Sequence, residues 1–180
     1  VCLLLVDSSE GELHHQDVRI AEQVWDAGAG LILLANKWDL VEKETNTAPR
    51  FEKQARERFP FLKWVPFVFM SALTGQRVRK TLDLILEVHA ERAQRIDTHE
   101  VNEALETLQR RQPAPHHRGR PVKIKYATQV TSAPPTFALF CNYPKEVPAH
   151  YIRYLHNGFR ERWPFMGSPI RLRMRSSRDT

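Results

Sequence analysis

Three short apolar runs in the first half of the chain alternate with segments that have helical periodicity. The apolar runs are VCLLLVD at 1–7, LILLAN at 31–36 and VPFVFMSA at 65–72. Continuous runs of this length are typical of strands buried on both faces of a sheet. We expect the strand at Val1–Val6 to be buried in this way as well. Helices are predicted over 16–28, 50–59 and 77–96. Strands that alternate with helices predict a parallel sheet with right-handed crossover connections.

Two of these helices carry a recognisable apolar stripe. In the first, Val18, Ala21 and Trp25 recur at helical spacing, and Gly28 is expected to end the helix. In the last, the stripe expected to face the sheet consists of Val78, Leu82, Ile85 and His89.

The second half of the chain has a different order of elements. A helix is predicted over 98–111, with Asp97 or Thr98 as its N-cap, and a loop follows over 112–121. Strands at 122–130 and 136–143, a helix at 149–163 and a strand at 169–175 complete the chain. The order helix, strand, strand, helix, strand predicts a small α+β domain. We therefore divide the chain into 1–96 and 97–180.

The charge of the chain supports this division. The formal net charge is +6 at pH 7. Residues 1–97 carry 13 Lys and Arg against 15 Asp and Glu, whereas residues 98–180 carry 14 against 6. A basic second unit beside a nearly neutral first one indicates that the second unit faces a polyanion.

Several other classes of function find little support in the sequence. Cys2 and Cys141 are far apart and lack CxxC spacing, so we expect reduced thiols, with Cys141 in the core. The adjacent pairs His14-His15 and His116-His117 have no second pair at metal-ligand spacing, and we expect no metal site formed by these residues. No run approaches the length of a membrane span and no leader is evident, so a cytoplasmic protein without membrane contact is expected.

Polar residues follow two of the predicted strands directly. LILLAN runs into Lys37-Trp38-Asp39, and the next strand ends in SALTG, which begins at Ser71. Because ligands bind beyond the carboxyl ends of the strands in open α/β sheets, the two loops predict a nucleotide site. The Asp39 carboxylate can accept both N–H bonds offered by guanine, and the Ala72 N–H can donate to the guanine carbonyl. Asn36 would brace the loop and the Lys37 stem would lie along the base, while Trp38 is expected to pack the loop.

The two motifs together resemble the fourth and fifth guanine-recognition motifs of translation-factor-type GTPases. The segments KIKYATQV, APPTFALFCNYP, YIRYLHN and GSPIRLRMR resemble the C-terminal KH-like domain of the Der (EngA) family. VDSSEGELHHQD is similar to the strand and loop that follow the switch region in that family. Members of the family carry two GTPase domains in tandem and assist assembly of the large ribosomal subunit.

The resemblance implies a fold and a function. The fold class is α/β, with a partial P-loop GTPase domain followed by a small α+β KH-like domain. The function implied is GTP binding and hydrolysis in the intact protein, with Asn36, Lys37, Asp39, Ser71 and Ala72 reading the guanine of GTP or GDP. Mg²⁺ is expected in the intact protein, but the chain contains neither GxxxxGK[ST] nor a D-x-x-G switch motif. We therefore expect no catalytic residue, no Mg²⁺ ligand and no GTP hydrolysis in this chain alone.

A basic sheet face is predicted in the second unit. Strand periodicity places Lys123 and Lys125 opposite Val122, Ile124 and Tyr126, and places Arg171, Arg173 and Arg175 opposite Ile170, Leu172 and Met174. Further positive charge is expected from Arg118, Arg120, Arg160 and Arg162. The partners implied are ribosomal RNA of the large subunit and the upstream GTPase domains. No GxxG loop occurs, so electrostatics and shape are favoured over base reading. The alternative is a nucleotide-independent RNA- or ribosome-binding module on a degenerate GTPase scaffold.

Overall fold

The computed structural model describes residues 1–42, 44, 46–117 and 119–177. The chain separates into two compact units. The first consists of Val1–Arg92 with Phe165–Pro169, and the second of Ala93–Pro164 with the chain from Ile170 onward. The short segment that returns to the first unit was not anticipated from the sequence.

The first unit is a three-stranded parallel sheet flanked by helices. Its elements are β1 (Cys2–Asp7), α1 (His15–Asp26), β2 (Leu31–Asn36), α2 (Thr47–Arg58), a 3-10 helix (Pro60–Trp64), β3 (Phe67–Phe69) and α3 (Val78–Ala93). The strand order is β1-β2-β3, and both pairings are parallel. The predicted parallel sheet is confirmed. Gly28, which follows α1, has a φ of 81°, a conformation that glycine adopts without strain.

The central strand β2 is buried on both of its faces. On one face, Leu31, Leu33 and Ala35 join a core with residues of α1 and α2 such as Val18 and Phe51. On the other face, the core is formed by Ile32, Leu34, Val68, Met70 and Val88. The continuous apolar run that predicted β2 therefore reflects two separate cores.

The expected two-sided burial of β1 is wrong. Leu4 and Val6 are buried, but Leu3 and Leu5 are 37% and 51% exposed. Leu3 pairs with Ile32 and Leu5 with Leu34, so the exposed leucines continue the face of the second core. An apolar run shows that both faces of a strand can be buried, but it does not show what covers each face.

The expected stripe of α3 is also wrong in part. Thr81 and Val88 are buried, and Leu84 and Ile85 pack partly against the second core. Leu82 of the expected stripe is 58% exposed. Because residues at i, i+3, i+4 and i+7 share a helix face, the buried stripe is shifted from the one that the apolar residues suggested.

The segment 165–169 is held to the first unit by backbone hydrogen bonds at Gly167. The Gly167 N–H donates to the Trp64 carbonyl, and its own carbonyl accepts from the Leu31 N–H, each at 2.7 Å. Gly167 has a φ of 70°, and a Cβ there would lie 2.8 Å from both γ-carbons of Val88. Glycine is required here by both conformation and space.

The second unit is a three-stranded mixed sheet with two helices. Its elements are α4 (Thr98–Arg111), β4 (His116–His117), β5 (Arg120–Pro121), β6 (Ile124–Ser132), β7 (Pro135–Cys141), a 3-10 helix (Pro144–Glu146), α5 (Ala149–Arg162) and β8 (Arg171–Ser176). The order is β6-β7-β8, with β6 antiparallel and β8 parallel to β7. The predicted order of helices and longer strands is confirmed. The antiparallel pair β4-β5 lies where a loop was expected.

Buried aromatic rings and polar groups hold the second unit together. The Asp97 carboxylate caps α4 by accepting from the His99 N–H at 2.7 Å. Tyr151 is fully buried, and its hydroxyl donates to the Gln112 carbonyl at 2.9 Å. Cys141 is also fully buried, and burial raises the pKa of its thiol, as expected of a core cysteine.

None of the helices in the described part of the chain is long and apolar enough to cross a membrane.

Candidate functional site

The ends of β1 and β2 bring the first polar residues of the site together. Asp7 and Asn36, the last residues of the two strands, are register partners. Ser8 lies directly beyond, where its backbone N–H and its hydroxyl both donate to the Asn36 carbonyl, at 3.0 and 2.6 Å. This pair of bonds fixes the backbone at the point where the NKWD loop, Asn36-Lys37-Trp38-Asp39, leaves the sheet.

Two further bonds join the NKWD loop to the SALTG loop. The Ala72 N–H donates to the Asn36 side-chain oxygen Oδ1 at 2.9 Å. The Trp38 N–H donates to the Met70 carbonyl at 3.1 Å. The predicted proximity of the two loops is therefore present in the structure, and the Asn36 amide is the side chain that bridges them. The Ala72 N–H, which is expected to donate to the guanine carbonyl, donates to Asn36 in this structure.

Asp39 has an oxygen with no partner within the described part of the chain. Its Oδ1 atom is buried and accepts no hydrogen bond there. Trp38, beside it, is only 4% exposed and packs against Phe51 and Phe69, with ring centroids 6.5 and 4.4 Å away. The indole thus anchors the loop, as expected. A buried carboxylate oxygen without a donor is costly, so a ligand that brings N–H groups to it is favoured.

Lys37 lies at the exposed tip of the same loop. Its φ is 60°, a left-handed conformation that is uncommon for residues other than glycine. Its ammonium group contacts Asp7 Oδ2 at 2.5 Å, and this bond raises the pKa of Lys37. The Lys37 ammonium and, secondly, the Ser9 hydroxyl hold the pKa of Asp7 well below its usual range. The ion pair aims the lysine stem across the end of β1.

The SALTG loop is closed by its own hydrogen bonds. Ser71 is fully buried, its hydroxyl accepts from the Thr74 N–H at 3.1 Å, and its backbone N–H donates to the Gln76 carbonyl at 3.2 Å. Gly75 has a φ of 75°, as the tight return of this loop requires. The role of Ser71 in this structure is to shape the loop that presents the Ala72 amide.

Sequence reasoning missed three residues that support these loops. No motif in the sequence assigns Asp7 or Ser8 to the site, and the pattern around Arg77 predicts only a helix. The Arg77 guanidinium donates to the Phe69 carbonyl at 3.0 Å, which braces the end of β3 from the far side of the SALTG loop. The adjacency of Asp7 could have been inferred from the parallel register, since neighbouring parallel strands end side by side.

Four of the five cations of the predicted basic face lie on the two outer strands of the second sheet. Arg173 and Arg175 are exposed on β8, while Arg171 is half-buried. Lys125 is exposed on β6, and Lys123 is exposed just before that strand begins. Strand β7 separates the two groups. Phe140 of β7 pairs with Tyr126 of β6 on one side and with Arg175 of β8 on the other. Lys125 therefore lies near Arg175 at one end of the sheet, and Arg171 lies at the other end.

Two expectations about this face are wrong. A register irregularity between Ile124 and Tyr126 turns Tyr126 away from the side of Val122 and Ile124, so its ring stacks on Phe140 instead. Arg160 is 1% exposed, its guanidinium donates to the Pro164 carbonyl at 2.5 Å, and burial lowers its pKa to about 10. It adds no surface charge. Arg162 is exposed, and Arg118 and the side chain of Arg120 lie outside the described part of the chain.

Comparison with known proteins assigns both halves of the chain. Residues 1–91 match the family model of the elongation factor Tu GTP-binding domain. Residues 95–175 match the KH-domain-like family of EngA bacterial GTPase enzymes, C-terminal. The chain belongs to the Der (EngA) family of GTPases. The predicted fold class, a partial GTPase domain followed by a KH-like domain, is confirmed.

Relatives in the Der family match nearly the whole chain. GTPase Der of Gemmatimonas aurantiaca is 53% identical over 97% of this chain and 40% of that protein. GTPase Der of Caldanaerobacter subterraneus is 42% identical over 94% of this chain and 38% of that protein. The chain thus spans about two fifths of the length of these relatives. A solved structure of Aquifex aeolicus Era bound to GDP and aluminium fluoride is similar with a TM-score of 0.40 and 16% identity, covering 97% of this chain and 64% of that one.

Proposed function

We propose that this chain carries the guanine-recognition half of a GTP-hydrolysing protein of the Der family. Asn36, Lys37, Asp39, Ser71 and Ala72 form the base pocket. The observation that supports this most directly is the arrangement of two loop tips at one sheet edge. The loops are tied by the bond from the Ala72 N–H to Asn36 Oδ1, and beside them Asp39 has a buried oxygen to which none of the described residues donates.

Asp39 is the residue that selects guanine in this proposal. Its carboxylate accepts from the ring N–H and the exocyclic amine of guanine, which satisfies the buried oxygen that lacks a donor among the described residues. Adenine presents an acceptor and a C–H at the same edge, so it would leave the carboxylate desolvated and unpaired. A mismatch of that kind costs a few kcal/mol, enough for strong rejection.

Asn36 and Ala72 hold the opposite side of the base. The Asn36 oxygen holds the SALTG loop, and in this proposal the Asn36 amide N–H₂ donates to an acceptor on the purine. The Ala72 N–H reaches the guanine carbonyl by sharing or exchanging its bond with Asn36 Oδ1. The Lys37 stem lies along the base while its ammonium remains with Asp7.

Phosphate binding and hydrolysis belong to the intact protein in this proposal. The chain contains no GxxxxGK[ST] motif and no D-x-x-G motif, so none of its residues is proposed to hold Mg²⁺ or the phosphates. Most nucleotide affinity in P-loop proteins comes from those contacts. We expect the 180-residue chain to bind GTP more weakly than the micromolar range and not to hydrolyse it. If calorimetry returned micromolar GTP affinity for this chain, it would contradict the view that most of the affinity comes from phosphate and Mg²⁺ contacts that this chain does not supply.

The base pocket is tested by Asp39→Asn in a full-length Der-family protein that contains this chain. An amide presents one donor and one acceptor, so it suits xanthine, which has a carbonyl where guanine has its exocyclic amine. We expect GTP affinity to fall roughly a hundredfold and xanthosine triphosphate affinity to rise. The control Asp83→Asn, at an exposed carboxylate of α3, should change neither affinity. Unchanged GTP affinity in Asp39→Asn would remove Asp39 from the site.

For the second unit, we infer an RNA-binding role during assembly of the large ribosomal subunit. The support is the group of cations on β6 and β8 and just before β6, namely Lys123, Lys125, Arg171, Arg173 and Arg175. Phosphate contacts release counterions, so affinity for ribosomal RNA should fall steeply as salt rises. Lys123→Gln should reduce the slope of log affinity against log salt by about one. A flat salt response would exclude phosphate contacts.

The rival function is an RNA- or ribosome-binding module that works without nucleotide. It predicts that Asp39→Asn leaves ribosomal association of the full-length protein unchanged with GTP, with xanthosine triphosphate and without nucleotide. The proposed GTPase predicts an association that follows whichever nucleotide the variant binds. The same set of variants therefore separates the two functions.

A further inference from the structure

The face of the second sheet that carries Arg173 and Arg175 also carries a stacked pair of aromatic rings. Tyr126 of β6 and Phe140 of β7 are register partners, with ring centroids 4.4 Å apart and ring planes 11° from parallel. Both residues are half-buried. The neighbouring residues Phe137, Leu139 and Cys141 alternate to the other face and are fully buried. The aromatic pair therefore does not belong to the core of this unit.

A concavity of about 310 Å³ lies beside this pair. Ala138 and Phe140 of the central strand line its floor. Val130 of β6 lies on one side, and Arg173 and Arg175 of β8 lie on the other. Because Ala138 carries only a methyl group between longer side chains on both neighbouring strands, the surface is depressed at this point. One face of the Phe140 ring is covered by Tyr126, and Phe140 contributes to the lining of the concavity.

The guanidinium groups of the two arginines beside the concavity are exposed to a ligand. Arg173 pairs with Ala138 across the sheet, and Arg175 pairs with Phe140. Both are exposed, and neither takes part in an ion pair among the described residues. Lys125, beside Tyr126, adds a third exposed cation. An apolar, aromatic floor with cations at its rim matches a flat ring attached to a negatively charged backbone.

We propose that this concavity holds an unpaired base of single-stranded RNA, inserted between Phe140 and the Arg175 guanidinium as an extension of the Tyr126–Phe140 stack. The proposal rests on the RNA-binding role proposed above and adds the kind of RNA and the mode of contact. Bases stack on aromatic rings and on planar guanidinium groups, and this stacking does not depend on base identity. Arg173 and Lys125 contact the flanking phosphates.

Duplex RNA does not satisfy this site. Its bases are stacked within the helix, and its major groove is too deep and narrow for side chains to read. A strand with free bases can present one ring to a shallow concavity while its phosphates remain at the rim. The site therefore predicts a preference for single-stranded RNA over duplex RNA of equal charge.

The test compares three probes by fluorescence anisotropy with the 180-residue chain. They are a sixteen-nucleotide oligoadenylate, a ribose-phosphate oligomer of equal length without bases, and an eight-base-pair RNA duplex, which carries nearly the same number of phosphates as the oligoadenylate. We expect the oligoadenylate to bind roughly tenfold more tightly than the oligomer without bases, as a stacked base contributes. Equal affinity for these two probes would overturn base stacking but leave the phosphate-contact role intact. A duplex that bound more tightly than the oligoadenylate would also overturn it.

Two variants assign the effect to the concavity. Phe140→Leu keeps an apolar side chain of similar size, and Arg175→Lys keeps the charge but removes the planar group. Each should abolish most of the advantage of the oligoadenylate over the oligomer without bases, and this ratio is the readout because Arg175 also contributes charge to phosphate binding. The matched control Arg153→Lys, at an exposed arginine on α5, should leave both affinities unchanged. Melting temperatures verify that the variants remain folded.

The remaining outcomes separate this proposal from the broader one. Retention of the tenfold advantage in both Phe140→Leu and Arg175→Lys would place the stacked base elsewhere. Absence of binding to every RNA probe would overturn both the stacking mode and the RNA-binding role. The face would then be assigned to contact with a protein.

Discussion

His156 shows how one side chain couples the stability of the second unit to pH. It lies on α5, close enough in the helix to Arg160 for the two to interact. Burial, and secondly the neighbouring Arg160 guanidinium, lower the pKa of His156 below its usual value of 6.5. Hydrogen bonds with Asn157 and with the backbone of Ile170 oppose this shift without reversing it. The neutral imidazole is therefore the form that the fold accommodates.

This shift predicts a loss of stability on mild acidification. A lowered pKa in the folded state means that the unfolded chain binds the proton more readily, so stability is lost as pH falls from 6.5 through the folded pKa. The midpoint of urea unfolding, measured between pH 7.5 and 5, should decrease less in His156→Gln than in the parent chain. His150→Gln, which removes an exposed histidine from the same helix, should leave the decrease as it is. Identical profiles for the parent chain and His156→Gln would contradict the burial argument.

At the scale of elements, the sequence predicts those helices and strands whose buried side chains recur at a regular spacing. Apolar runs and helical stripes identified β2, α1 and the longer elements of the second unit, because each buries side chains at a regular spacing. The proximity of the two strand-end loops is predictable for the same reason, since parallel strands end together. The irregularity at Lys125 breaks the alternation of β6 and turns Tyr126 to the other face. Such a break depends on pairing with β7, which no local pattern records.

The contact between α4 and α5 depends on a glycine in the middle of a helix. A Cβ at Gly158 would lie 2.6 Å from one Cδ and 3.0 Å from the Cγ of Leu108, a residue that is itself 6% exposed. Glycine usually weakens a helix by about 1 kcal/mol relative to alanine. Its presence here is explained by the close approach of the two helices.

Gly158→Ala should therefore destabilise the protein despite the gain in helix propensity. The expected loss is about 1–3 kcal/mol in the free energy of unfolding, as is typical when a methyl group is forced into a packed contact. Leu108→Ala removes the obstructing side chain, so the double variant should lose less stability than the two single variants added together. Chemical denaturation of the four proteins provides the test. Additive losses would show that Leu108 is not what Gly158 accommodates.

At the scale of the whole molecule, sequence patterns fail where burial depends on residues distant in the chain. The return of Phe165–Pro169 to the first unit is held by backbone bonds and by a glycine, neither of which has a periodic signature. The pairing of the Ala72 amide with Asn36 likewise depends on two loops that only the folded sheet brings together. Patterns identify which residues can be buried or bonded, and tertiary contacts decide which of them are.

The exposed face of β1 shows the physical consequence of this limit. Leu3 and Leu5 lie on the same face as buried Ile32 and Leu34, and within the described part of the chain no strand pairs with the outer edge of β1. Leu82 and Leu86 add exposed apolar surface on α3, at 58% and 69%. Apolar surface beside an unpaired strand edge promotes association between chains.

We therefore expect the 180-residue chain to associate as its concentration rises. Leu5→Lys places a charge on the exposed face of β1 without removing a buried side chain, so it should shift the association to higher concentration. Leu40→Lys, at a leucine that is 64% exposed in the NKWD loop, is the matched control and should have little effect. Sedimentation velocity at several concentrations distinguishes the variants. If Leu5→Lys and the parent chain sedimented alike while both associated, the contact would lie elsewhere than on the exposed face of β1.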